Sequence, residues 1–167
     1  MLRPDDRFDD VLAANDAYAA SYRLAGLEGR AAKRLAVLTC MDSRIDPLGM
    51  LGLAPGDAKI LRNAGARVTE DVLRTLVLAT YLLDVERVMV VAHTRCRMAS
   101  GPEEAVHEAV RAAGGPDTRS IAFLTTTDQE ASLRADVQRI ASWPYPHDVV
   151  AGGFLLDLDT GRLRRVC

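Results

Sequence analysis

The sequence predicts a single α/β domain, a mostly parallel central sheet of about four strands plus an edge strand, with helices on both faces. Three observations predict it. Nearly unbroken apolar runs of strand length fall at residues 35–39, 58–62, 87–92 and 120–126, the pattern of strands covered on both sides. Segments of helical periodicity fill the gaps, and alternation of the two is the mark of a parallel sheet. No repeat, low-complexity tract or linker interrupts the 167 residues, a length suited to one hydrophobic core, so the expected domain is 1–167.

Each element has its own justification. Residues 6–24 place Phe8, Val11, Leu12, Tyr18 and Tyr22 on one helical stripe. This segment precedes the first strand, so it is expected to pack on its own sheet or on a partner subunit. After Leu35-Ala36-Val37-Leu38-Thr39, Gly52-Leu53-Ala54-Pro55-Gly56 reads as a turn leading to the second run. Residues 70–83 carry Val72, Leu73, Leu76, Val77 and Leu83 on a broad face. Thr69 caps that helix, and Glu70 and Asp71 suit the positive end of its dipole.

Arg87-Val88-Met89-Val90-Val91-Ala92 is the third run. Ser100-Gly101-Pro102-Glu103 is a capping-box pattern opening a helix to residue 113, and Thr127-Asp128-Gln129-Glu130 repeats it before Leu133, Val137 and Ile140. Gly114-Gly115-Pro116-Asp117 and Trp143-Pro144-Tyr145-Pro146 are loops. Residues 154–159 turn polar toward Thr160-Gly161, as an edge strand does.

Composition narrows the function classes. A net charge of −2 and a pI near 5.9 give no basic excess for nucleic acid or an anionic membrane. The run Arg162-Leu163-Arg164-Arg165 reads as a solvated chain end. No apolar stretch approaches the roughly 18 residues of a membrane span. Met1-Leu2-Arg3-Pro4-Asp5-Asp6 is too polar for a secretory signal, so the expected location is cytoplasmic. Three cysteines is an odd number in a chain too large to need disulfide staples. Cys40 and Cys96 are therefore expected as thiols, thiolates or metal ligands, and Cys167 as an incidental residue at a mobile end.

The chemistry-bearing residues close two of the apolar runs. The first ends in Cys40-Met41-Asp42-Ser43-Arg44 and the third in His93-Thr94-Arg95-Cys96. Parallel sheets bind ligands beyond the carboxyl ends of their strands, so the two groups can meet at one sheet edge. Two thiolates and an imidazole form a zinc-ligand set of the catalytic kind, with one position open. Asp42 lies within reach of the same metal, and Arg44 is spaced to pair with it through a bidentate contact. The plainer readings are buried small hydrophobes for the cysteines, a core histidine for His93, and a surface ion pair for Asp42 and Arg44. His107 reads as an exposed helix residue and His147 as a loop histidine.

With Cys-x-Asp-x-Arg after the first strand, His-x-x-Cys after a later one and Arg62-Asn63-Ala64-Gly65 between them, the sequence resembles the β-class carbonic anhydrases, in their short form. The likeness implies zinc (Zn2+) held by Cys40, His93 and Cys96, and reversible hydration of CO2 to bicarbonate by a zinc-bound hydroxide. It gives Asp42 two roles. Held by Arg44, Asp42 orients the hydroxide; released, it becomes the fourth zinc ligand and closes the site. The likeness further implies a homodimer or dimer of dimers. One position departs from the pattern: Arg97 stands where the family usually has glycine, so the turn is altered or a guanidinium points at the pocket. Arg95 and Arg97 together give the turn a positive field. Three other readings remain: a hydrolase of carbonyl sulfide or carbon disulfide, a non-catalytic zinc-binding homologue, and a redox module using Cys40 and Cys96.

Overall fold

A computed structural model describes residues 6–146 and 148–167. The segment Met1-Leu2-Arg3-Pro4-Asp5 and His147 lie outside the described residues. A five-stranded sheet runs in the order β2-β1-β3-β4-β5, from β1 (Leu35–Cys40), β2 (Ala58–Asn63), β3 (Arg87–His93), β4 (Val150–Leu156) and β5 (Leu163–Arg165). The first four are parallel and β5 is antiparallel to β4. The expected mostly parallel sheet with an edge strand is what forms.

All six residues of β1 are buried, which is why the strand reads as an apolar run without alternation. Burying a Val or Leu side chain stabilises by about 1.5–3 kcal/mol. A register slip in β1 would therefore cost several such contacts, and the burial that fixes β1 also fixes Cys40 at its end. Opposite Cys40 in the β1–β2 ladder stands Asn63. Beyond their strand ends, β1 and β3 present the two groups of candidate ligands side by side.

Helix α2 (Glu70–Leu82) follows its expected bounds, and the Thr69 hydroxyl accepts from the Val72 amide as a cap. It packs Val72, Leu73, Leu76 and Ala79 on one sheet face beside Leu133 and Ile140 of α4 (Gln129–Ser142). On the opposite face a second cluster holds Val37, Ile45, Val91 and Leu156. Met50 and Leu51 pack against it from the short 3-10 turn Gly49–Leu51. Two further helices, α1 (Asp9–Ala20) and α3 (Glu103–Ala112), bury no residue in this chain.

The structure corrects several local expectations. Residues 120–126 are not a strand. Leu124 takes a φ of 60, the Phe123 amide donates to the Glu103 carboxylate, and the Thr126 amide donates to the Met98 carbonyl. These partners from elsewhere in the chain take the place of ladder hydrogen bonds at Phe123 and Thr126. The fourth strand is β4, which starts four residues before the expected 154–159 and ends at Leu156. Gly152 and Gly153, residues poor in strands, hid it. A Cβ on Gly153 would lie 2.7 Å from Cys167 Sγ and 2.9 Å from Leu133 Cγ, so the bare backbone lets α4 and the chain end close in.

The last residues also differ from expectation. Leu163–Arg165 is the edge strand itself, with Leu163 against the second core cluster and Arg164 paired to Glu130. Cys167 is tied to Gly153 by backbone hydrogen bonds through both its N–H and its carbonyl. Neither capping box forms as written. Pro102 precedes α3 without a side-chain cap, and Asp128, one residue after Thr127, caps α4 by accepting from the Ala131 amide.

Candidate metal centre

The ends of β1 and β3 bring Cys40, His93 and Cys96 together, with one ligand atom from each within 4.8 Å of the others. All three are buried, at 5%, 1% and 5% exposure. His93 Nδ1 lies 2.9 Å from the Thr94 carbonyl. An oxygen acceptor there requires Nδ1 to carry the proton and leaves the Nε2 lone pair facing the sulfurs. Among the described residues His93 Nε2 is the one buried side-chain N or O atom without a hydrogen-bond partner. A buried polar group left unpaired is costly, so this atom calls for a cation.

The sulfurs make the same demand. Hydrogen bonding from the Cys96 thiol lowers the Cys40 pKa against the opposing effect of burial, with help from His93 and the Gly65 and Asp42 amides. The resulting Cys40 thiolate, followed by burial, pushes Cys96 up. Burial opposes charging His93, but the neighbouring Cys40 thiolate raises its pKa on balance. Without a cation the two neighbouring sulfurs oppose each other's ionisation. A divalent cation between two sulfurs and an imidazole nitrogen removes that competition, and this donor set suits zinc. None of the three cysteines is joined in a disulfide.

Asp42 and Arg44 form the expected fork. Arg44 Nε donates to Asp42 Oδ1 at 2.9 Å and its second guanidinium nitrogen to Oδ2 at 2.6 Å. The Arg44 amide adds a bond of 3.0 Å to Oδ1. These contacts hold the Asp42 carboxyl well below the usual carboxylate range. Exposed pairs contribute little to stability, so the fork's value is positional. Asp42 Oδ2 stands 3.9 Å from His93 Nε2, outside the three-ligand group but beside it.

The surrounding scaffold was not read from the sequence. Arg62 donates to the Cys40 and Asp42 carbonyls, bracing the turn that carries both side chains. Gln129, at the start of α4, donates to the His93 carbonyl at 3.0 Å. The Thr94 amide bonds the Leu156 carbonyl, and its hydroxyl accepts from Leu158. Capping patterns placed Gln129 at a helix start, but nothing local pointed it at His93, 36 residues away.

The turn between His93 and Cys96 carries Arg95 and leads into Arg97. Arg95, not Arg97, takes the left-handed conformation, with a φ of 57. Arg97 opens an ordinary 3-10 turn, Arg97–Ala99, and its side chain is exposed. The expected joint positive field is also reduced, because Arg95 pairs with Asp159 at 2.8 Å. His107 is half-buried rather than exposed, with Nδ1 2.9 Å from the Thr118 hydroxyl and its ring 5.3 Å from that of Phe123.

Comparison with known proteins agrees with this geometry. The family model for carbonic anhydrase matches residues 35–136. β-Carbonic anhydrase 1 of Mycobacterium tuberculosis is 32% identical over 161 residues, covering 95% of this chain and 96% of its own. The crystal structure of a carbonic anhydrase from Streptococcus mutans superposes with a TM-score of 0.90 at 38% identity, covering all of both chains. A carbon disulfide hydrolase of an Acidianus species is 47% identical over 66 residues, 40% of this chain and 32% of its own.

Proposed function

Since the chain belongs to the carbonic anhydrase family, in its β class, we propose that Cys40, His93 and Cys96 hold the zinc at which this lyase interconverts CO2 and bicarbonate. The observation that carries the assignment is the unpartnered Nε2 of His93 aimed at two sulfurs. When bound, zinc supplies the Lewis acidity that makes water a nucleophile near neutral pH. The protein supplies the rest. Cys40 and Cys96 neutralise the cation's charge, and the Thr94 carbonyl fixes the His93 tautomer that can ligate.

Arg44 turns Asp42 into an acceptor of fixed direction. With the guanidinium fork occupying one side of the carboxylate, Oδ2 remains beside the centre and can orient a water proton. Loss of the fork frees Asp42, whose Oδ2 stands 3.9 Å from His93 Nε2, to enter the ligand set. The dyad thereby acts as the gate between an open and a closed site. The two buried thiols suit a reducing compartment, so the proposed location is the cytoplasm. No helix among the described residues is long and apolar enough to cross a membrane.

A homodimer or dimer of dimers completes the reading. Phe8, Val11, Leu12 and Tyr18 of the N-terminal segment are each more than half exposed, and α1 buries nothing in its own chain. A partner subunit is the natural cover for that stripe. Carbon disulfide hydrolysis is the second reading, favoured by the 47% identity over 66 residues to a protein of that name. The same three ligands serve either reaction, and access to the centre decides between them.

Stopped-flow hydration of CO2 by the zinc-loaded chain, run beside sulfide release from carbon disulfide, tests the assignment. Hydration is expected from wild type, and within about twofold from Arg97→Gly, because the Arg97 side chain is exposed and its backbone is not the left-handed one. Zinc-loaded protein that releases sulfide from carbon disulfide but hydrates no CO2 would establish the second reading.

A further inference from the structure

Cys40 lies opposite Asn63 in the β1–β2 ladder, and the chain beyond Asn63 folds back over the Cys40 sulfur. The Gly65 amide donates to Cys40 Sγ at 3.3 Å. To aim that N–H, the chain passes through two consecutive left-handed residues, Gly65 at a φ of 81 and Ala66 at 58. The second is an alanine, which has no intrinsic preference for this conformation. Such a turn persists only where its surroundings hold it.

The holding contacts come from one side chain. Asn63 Oδ1 accepts from the Arg67 amide at 2.8 Å, and Asn63 Nδ2 donates to the Arg67 carbonyl at 2.7 Å. Both polar ends of the side-chain amide therefore grip the backbone of one residue and close the loop over Ala64, Gly65 and Ala66. The far end of the grip is anchored as well. Arg67 Nε donates to the buried Asp136 carboxylate of α4 at 2.6 Å, and a terminal nitrogen donates to the Leu124 carbonyl. On the other side Met98 limits the space, since a Cβ on Gly65 would stand 3.0 Å from the Met98 Cβ.

We propose that Asn63 is a positioning residue for the metal centre: its two-point grip on Arg67 keeps the Gly65 N–H on the Cys40 sulfur. The inference rests on the zinc reading above. An N–H donated to a ligating sulfur orients it and spreads its charge, and such outer contacts typically account for about 10–100-fold in metal affinity. Asparagine is required because the grip needs one acceptor and one donor on a single short side chain. Aspartate keeps the acceptor and loses the donor; alanine loses both.

The test uses the full chain loaded with cadmium-113 in place of zinc. Scalar coupling from the metal through sulfur to an amide proton is read by proton–nitrogen correlation, and zinc affinity is measured by competition with a chelator. Wild type is expected to show coupling at the Gly65 amide. Asn63→Ala should lose it and bind zinc about tenfold more weakly, with Asn63→Asp between the two. Should Asn63→Ala fail to fold, Asn63→Asp decides by the same readouts.

A purely structural role for Asn63 would lower the melting temperature and leave both coupling and affinity at wild-type values, and that result overturns the proposal. Wild-type protein in which cadmium couples to neither Cys40 nor Cys96 would overturn the zinc reading itself. The two failures are thus distinct.

Discussion

His93→Ala is expected to abolish stoichiometric zinc binding and, with it, CO2 hydration. The imidazole supplies the only nitrogen of the three-ligand group, and its Nε2 has no other partner among the described residues. Removing it leaves two buried sulfurs that compete for one negative charge, because the Cys40 thiolate pushes Cys96 up. Affinity should fall by more than the roughly 10–100-fold that outer contacts typically cost. Thermal unfolding gives a direct check. Zinc stabilises wild type by binding the native state, raising the melting temperature with metal concentration. The variant should show no such rise, and a wild-type response would remove His93 from the centre.

Arg44→Ala is the second large expectation: hydration falls on the order of 10²-fold while zinc content stays full. The guanidinium makes both side-chain bonds that fix the Asp42 carboxylate. Without them Asp42 loses its direction and can close on the metal. The pH dependence of the pair follows from the depressed Asp42 pKa. A carboxylate with a lowered folded pKa keeps its pairing above the ordinary carboxylate range and loses it only as pH falls through the lowered value. Asp42 is therefore ionised throughout the neutral range, and any activity change there belongs to other groups. Stopped-flow rates for the two proteins across neutral and mildly alkaline pH check this, and undiminished turnover in Arg44→Ala would contradict the gate.

Much of this centre was legible because its ligands sit at the ends of local patterns. Cys40 is the last of six consecutive buried positions and His93 the last of four, so hydrophobicity alone located both strand ends. The spacing Asp42-x-Arg44 is short enough for the fork to form within one turn. What escaped was non-local or masked. Two glycines in β4 hid the first half of an inner strand that the sequence marked only as an edge strand over 154–159, while the apolar run 120–126 found its hydrogen bonds in Met98 and Glu103. The Asn63 grip was half visible in Arg62-Asn63-Ala64-Gly65, but its anchor is an ion pair between Arg67 and Asp136, 69 residues apart. The consequence of Arg97 was likewise unreadable, because it depends on which residue of the turn takes the left-handed conformation, and that is Arg95.

In the proposed centre two sulfurs and one imidazole hold zinc, with a fourth position left to a lighter atom. X-ray absorption at the zinc edge of the purified protein counts those donors directly. Two sulfurs are expected at about 2.3 Å, with one nitrogen and one further nitrogen or oxygen at about 2.0–2.2 Å. A shell with fewer than two sulfurs, or protein that cannot retain stoichiometric zinc, would contradict the proposed centre.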